Sequence, residues 1–525
     1  MATHLAQQVL FGSLGEALWL RLAHEVLGDD ARLLSHEGLR IAGSNAWVAG
    51  GERTASGLPM IGGDPHRTIE QPGIYQQVRL VCEDPDDGFD VLGYTFVGMP
   101  GVQHFAHAGE VAWAITNACA DYQDLVEDGL PLAHGLSVRT ASWVLGELGF
   151  DALLPLLRAR TVDDVDAAFE HWVEPVNNLV IADRSGAVRY RVAGRVPVRA
   201  ADGTWTGWLE APNRADAGPG EVVVTANERR GPESEAIGSS FAPPYRAERI
   251  RALLGERRGL TTEDFAAIHD DALLPTVAIL TRLVPGAFDD FDGVMAAGSA
   301  QAARFAAWRS RLVRRLAAHP ALAPLATPGP AHDHGPLLNP SLDPVAQIGL
   351  ALPTLAQEAL AGRPPFGIDL PALARAALDD LADVPGTWGR PTARPRRTRS
   401  RRTASTRASR SSRSPATRRP CARWGRGRRS ATRRPAAPWP ATCGTWPTAR
   451  PAAGWSRPGR PAGPAPTTPT RLDAWIEGRL LPIVTAWDQA GRGQTPSRRT
   501  PPRRGCRCSA RCARSRPART SRRPR

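Results

Sequence analysis

Short apolar runs, each closed by Gly, Asp or Asn, recur through residues 44–254: WVAG (47–50), VLGYTFVG (91–98), VAWAITN (111–117), NLVIADR (178–184), AVRYRVAG (187–194) and VVVTAN (222–227). Runs of this length, rich in β-branched and aromatic residues and bounded by turn formers, predict strands. Over residues 245–390 the spacing changes. RAERIRALL, TTEDFAAIHDDALLPTVAILTRLV and AAWRSRLVRRLAAHPALAPL repeat apolar residues every three or four positions, which predicts helices. The N-terminal MATHLAQQVLFGSLGEALWLRLAHEV reads as an amphipathic helix. It lacks the basic start of a signal peptide, and Glu16, Arg21, His24 and Glu25 interrupt its apolar residues. No apolar run reaches the length of a transmembrane helix. Strands first and helices later imply a layered α/β (α+β) fold.

After Trp388-Gly389 this patterning stops. Residues 391–470 hold 20 Arg and no acid, and residues 489–525 hold 13 Arg and no acid. Between them RLDAWIEGRLLPIVTAWD (471–488) regains mixed charge and apolar spacing. An intact segment between two Arg/Pro-rich blocks is what a shifted frame in GC-rich coding sequence gives. A real disordered basic tail for nucleic acid or membrane is the alternative. The two blocks also explain the net charge of +14: the rest of the chain sets 33 Arg against 52 acids, a net of −19. Five of the seven cysteines fall in the same blocks, leaving Cys82 and Cys119 as two separate thiols of the folded part. The trio Cys506, Cys508 and Cys512 lacks a zinc-site spacing.

One dipeptide carries chemistry. Gly43-Ser44 sets a small residue before a serine that could become a new N-terminus. Such a serine brings its own base: the hydroxyl is the nucleophile, and an α-amine of pKa about 7.7–8.0 takes its proton at neutral pH. Taken alone, Ser44 reads first as a turn serine entering a strand. The segment around it decides. GSNAWVAGGERTASGLPMIGGDPH (43–66) resembles the start of the catalytic chain in the penicillin acylase family of N-terminal nucleophile hydrolases. The resemblance continues through LGYTFVGMPGVQHFAHAGEVAWAITNACADYQDLVED (92–128), NNLVIADRSGAVRYRVAGRVPVR (177–199), VVTANERRGPE (223–233) and PPYRAERIRALL (243–254).

The resemblance implies a four-layer αββα sandwich and self-cleavage between Gly43 and Ser44. It makes the Asn227 side chain one oxyanion donor and the backbone N–H of Asn117 the other. His66 matches a histidine that hydrogen-bonds the serine, and Arg246 matches an arginine beside the catalytic asparagine; Arg249, three residues on, could be confused with it. Asp121, Gln123, Asp124 and Pro197 match ligands of one structural calcium, by carboxylate or backbone carbonyl, in a site whose remaining carboxylate comes from the family's smaller chain. No organic cofactor is implied.

The expected organisation is a small-chain remnant with spacer (1–43), a catalytic core (44–390), an Arg/Pro-rich segment (391–470), a residual core segment (471–488) and a second Arg-rich segment (489–525). Family precursors carry a longer smaller chain ahead of the spacer, and a secretion signal would lie there; the family is usually periplasmic or extracellular. The expected activity is hydrolysis of a linear, non-peptide amide through an acyl ester on Ser44. The expected partners are a small-molecule amide and the small chain of a cleaved heterodimer, with no nucleic acid and no membrane. An inactive remnant of the same family and a nucleic-acid-binding protein acting through its Arg blocks are the rival readings.

Overall fold

The computed structural model describes residues 12–35, 43–65, 75–131, 137–210, 213–326, 334, 338–381 and 387. His66 and the segments 391–470, 471–488 and 489–525 lie outside the described residues.

Strand β1 (Ser44–Ala49) is buried on both faces, and this sets the layering. Successive side chains of a strand point to opposite sides. Ala46 and Val48 join one apolar cluster, Trp47 and Ala49 another. β1 is the centre of a three-stranded antiparallel sheet, between β2 (Met60–Pro65) and the last strand of the fold, Val222–Thr225. The chain then builds β3 (Tyr75–Cys82), β4 (Phe89–Phe96), β5 (Phe105–Ala108) and β6 (Val111–Asn117) by consecutive antiparallel pairing. A three-stranded side sheet follows, from β7 (Gln123–Val126), β8 (Leu130–Pro131) and β9 (Ser137–Thr140). β10 (Asn177–Asp183) returns beside β6, and β11 (Val188–Ala193) pairs with β10. The hairpin β12 (Pro197–Arg199) and β13 (Trp205–Trp208) stands apart from both main sheets. β14 (Ala215–Ala217) closes the seven-stranded sheet in the order β14-β11-β10-β6-β5-β4-β3, and Val222–Thr225 is β15.

The seven-stranded sheet and the β15-β1-β2 sheet lie face to face, with β1 and β2 over β6. Between them Ala46 and Val48 share a core with Ala114, Val180 and Val192. The alternate residues Trp113, Ile115, Leu179 and Ile181 turn to the other face of the seven-stranded sheet. Helices α1 (Leu153–Arg158) and α2 (Val162–Phe169) cover that face. On the far side of the three-stranded sheet, Trp47, Ala49 and Val224 pack under α3 (Tyr245–Leu254) and α4 (Thr262–Asp270). Helix, sheet, sheet, helix is the expected four-layer α+β order. Thr161 with Asp164 and Thr261 with Asp264 form capping boxes that start α2 and α4.

A separate helical core holds the helices Leu14–Leu27, Ala300–Ala317, Pro344–Leu360 and Leu370–Asp379 around Trp19, Phe305 and Trp308. Two expectations change. The N-terminal helix begins, within the described residues, at Leu14. The long helix expected over 261–284 stops at Asp270. Asp271 turns to extended dihedrals, Arg249 grips its carboxylate at 2.7 and 2.9 Å, and Pro275 follows. The residues beyond form only a short α-helix, Val277–Leu280, and a 3-10 turn, Thr281–Leu283.

Candidate active site

The register of β1 and β15 assembles the site. Ala46 pairs with Thr225, so two residues further on Ser44 comes level with Asn227, just past the end of β15. Asn227 has φ 70°, a left-handed backbone that asparagine tolerates better than most side chains. That turn aims the amide at Ser44. The Ser44 backbone N–H donates to Asn227 Oδ1 at 2.6 Å. Asn227 Nδ2 donates to the Asn117 carbonyl at 2.8 Å. Asn117 is the last residue of β6, so this bond ties the two main sheets together at one point.

Arg246 lies in the first turn of α3 and reaches across the same place. Its Nη1 donates to the Ser44 carbonyl at 2.8 Å and to Asn45 Oδ1 at 2.7 Å. Its Nη2 donates to the Ala226 carbonyl at 2.6 Å and to Asn227 Oδ1 at 3.1 Å. Arg249, by contrast, pairs with Asp271. Gly43 is explained by the same contact: a Cβ there would stand 2.9 Å from Arg246 Nη2. Ser44, Asn117, Asn227, Arg246 and Gly43 thus meet at one point, on both sides of the Gly43–Ser44 bond. Ser44 and Asn227 are buried.

Sequence reasoning missed a polar layer behind them. Asn178 donates to Thr116 Oγ1 at 3.0 Å and to the Asn117 carbonyl at 3.3 Å, and it accepts from the Tyr190 hydroxyl at 2.8 Å. Burial pushes the Tyr190 hydroxyl well above its usual range, so it remains a donor. The Glu228 carboxylate accepts from the Ala226 N–H at 2.6 Å and from Arg251 at 2.8 Å, fixing the turn that carries Asn227. The available signal was a polar residue inside an otherwise apolar strand: Asn45 in β1, Thr116 in β6, Asn178 in β10.

The four residues expected to hold calcium do not assemble an oxygen shell. Calcium takes six to eight oxygen ligands, and a bound dication repels a neighbouring cation. Asp124 Oδ1 instead accepts from Arg199 Nη2 at 2.7 Å, and its Oδ2 accepts from Trp205 Nε1 at 2.5 Å. Asp121 Oδ2 takes both the N–H and the hydroxyl of Ser239 at 2.9 Å. The Gln123 side chain accepts from the Leu14 N–H at 3.0 Å, and Pro197 pairs with Trp208 in the hairpin. Among the described residues no group of three or more His, Cys, Asp and Glu side chains converges as a metal site. As the side chains lie, the Arg199 guanidinium neutralises Asp124.

The chain matches the family model described as penicillin amidase over residues 1–133 and 125–469. It is 32% identical over 399 residues to the penicillin acylase 2 proenzyme of Pseudomonas sp. (strain SE83), covering 61% of this chain and 50% of that one. It is 24% identical over 283 residues to the acyl-homoserine lactone acylase QuiP of Pseudomonas fluorescens (strain Pf0-1), covering 40% of this chain and 34% of that one. Among solved structures, a thermostable penicillin G acylase from Alcaligenes faecalis aligns with a TM-score of 0.47 at 16% identity, over 64% of this chain and 77% of that one. The chain spans half or less of the length of the curated relatives it matches. On the extent of the family match, the chain belongs to the penicillin amidase family.

Proposed function

We propose that this chain is an amidohydrolase precursor that cuts itself before Ser44 and then transfers acyl groups through that serine. In the uncut chain Ser44 Oγ attacks the Gly43 carbonyl carbon, and the Ser44 nitrogen leaves as the amine. Water then hydrolyses the resulting ester, leaving a carboxylate on Gly43. In the mature enzyme the freed amine accepts the Oγ proton as Oγ attacks a substrate amide. The leaving amine takes that proton, and water releases the acid from the acyl ester.

The supporting observation is the 2.6 Å contact from the Ser44 nitrogen to Asn227 Oδ1, made while Asn227 Nδ2 faces Asn117. The Asn227 amide then serves both tasks. Its oxygen orients the amine, and its NH2 group supplies a donor to the tetrahedral oxyanion. The Arg246 guanidinium on Oδ1 polarises that amide and strengthens the donor. The same positive charge disfavours protonation of a neighbouring amine, which keeps it available as a base. The substrate class is a linear, non-peptide amide. This follows the relatives, which are named as acylases of penicillin and of acyl-homoserine lactones. A two-chain mature form follows from the same reading, since one of the relatives is named a proenzyme.

Intact-mass analysis of the purified full chain tests this. A new N-terminus at Ser44, absent in Ser44→Ala and present in Ser44→Cys, supports the proposal. A wild-type chain that hydrolyses an anilide of a small acid with the Gly43–Ser44 bond whole overturns it.

A further inference from the structure

Two buried polar residues that the proposed reaction does not use lie inside its walls. Asn45 is the second residue of β1, and Asp64 stands directly opposite it on β2. They are 1% and 3% exposed. Asn45 Nδ2 donates to Asp64 Oδ1 at 2.9 Å, while Asn45 Oδ1 accepts from Arg246 Nη1 at 2.7 Å. An asparagine amide has a donor end and an acceptor end of nearly the same shape, so its surroundings decide which way it lies. Here a carboxylate faces one end and a guanidinium the other, and a single orientation satisfies both. His269 lies beyond Asp64, its Nδ1 3.9 Å from Oδ1 and its ring against Trp47, which confines the carboxylate from behind.

We infer that Asp64 is a positioning residue for the Ser44 reaction, acting through Asn45 to hold Arg246 on the scissile segment. The inference rests on the proposed role of Ser44. Arg246 grips the Ser44 carbonyl and Asn45 with the same nitrogen, so the Asn45 oxygen sets where that nitrogen lies. Without Asp64 the Asn45 amide loses the partner that selects its orientation. Its NH2 end can then turn toward the guanidinium, which repels it, and Arg246 shifts from the Ser44 carbonyl and the Asn227 amide.

The test is the first-order rate of cleavage at Gly43–Ser44, followed by intact mass, in full-length variants. Asp64→Ala and Asn45→Ala should each slow it about 10- to 100-fold. The double variant should be no slower than Asn45→Ala, because both act through one contact. Asp64→Asn keeps an acceptor oxygen and should recover to within about fivefold of wild type, a rescue that a general loss of packing would not show. Multiplying effects, or alanine single variants within about threefold of wild type, overturn the inference. If Asp64→Ala fails to fold, Asn45→Ala and Asp64→Asn carry the same comparison. If the wild-type chain does not cut itself, the reading of Ser44 fails, and crystal structures decide this inference separately. Arg246 displaced from the Ser44 carbonyl in Asp64→Ala or Asn45→Ala supports it; Arg246 keeping its bonds to the Ser44 carbonyl and Asn227 Oδ1 in Asn45→Ala overturns it.

Discussion

Asn227 offers the sharpest separation of chemistry from architecture, because its backbone and its amide make different demands. The backbone sits at φ 70°, where glycine is unstrained and alanine is penalised by about 1–2 kcal/mol. The amide makes three bonds, to the Ser44 nitrogen, Arg246 Nη2 and the Asn117 carbonyl, at 2.6, 3.1 and 2.8 Å. At about 1 kcal/mol net for each buried bond, removing them costs about 3 kcal/mol of stability in either variant. Asn227→Ala should therefore be less stable than Asn227→Gly by about 1 kcal/mol, read from denaturant midpoints at equal slope. The rate should not follow that difference. Loss of one oxyanion donor lowers acyl transfer by about 10²–10³, and both substitutions lose it equally. The assay is hydrolysis of a chromogenic anilide of a small acid, with each variant supplied as mature chains in which Ser44 is already N-terminal. A glycine variant within about threefold of wild type removes Asn227 from the chemistry. An alanine variant slower than glycine by the stability difference makes backbone strain, and not donation, the cause.

Other consequences are independent of that donor. Gly43→Ala puts a Cβ 2.9 Å from Nη2 of an Arg246 guanidinium held by four acceptors, so self-cleavage should slow about tenfold by intact mass while the mature enzyme, which lacks residue 43 at its N-terminus, keeps its rate. His104 is packed against Tyr75, Phe96 and Phe105, and burial pushes its imidazole down to about 3. A base with a depressed folded pKa stabilises the fold fully above its unfolded pKa of about 6.5 and loses that contribution as pH falls toward about 3; at pH 4 the loss is about 3 kcal/mol. His104→Phe should lose less stability than wild type between pH 7 and pH 4 by that amount in urea unfolding. Because Arg199 already neutralises Asp124, millimolar calcium or a chelator should leave the melting temperature within about 1 °C. Binding at 100 times Kd would add about 2.7 kcal/mol, a rise of several degrees.

The strands that carry the site were legible because burial on two faces demands unbroken apolar runs. VAWAITN, NLVIADR and VVVTAN became β6, β10 and β15 with boundaries within two residues at each end. β2 was not legible, and the reason is the site's own packing. Its sequence, MIGGDP, contains two glycines, which ordinarily argue against a strand. They are there because a Cβ on Gly62 would lie 2.4 Å from the Trp47 ring, and one on Gly63 would lie 2.8 Å from the Asn45 carbonyl. Ser44, Asn227 and Arg246 were found through family resemblance, whereas Asn45 and Asp64 came to light only in the structure. A polar side chain in a strand with no exposed face must meet a partner across the register, and the pairing of β1 with β2 supplies it. Asn117 is the opposite case. The Asn227 amide meets its main-chain carbonyl, while its side chain bonds the Cys119 N–H at 2.8 Å to shape the turn that follows. No residue type is required for the first of these bonds, so no sequence pattern could announce it. Only the sheet-to-sheet approach of β6 and β15 shows why that position matters.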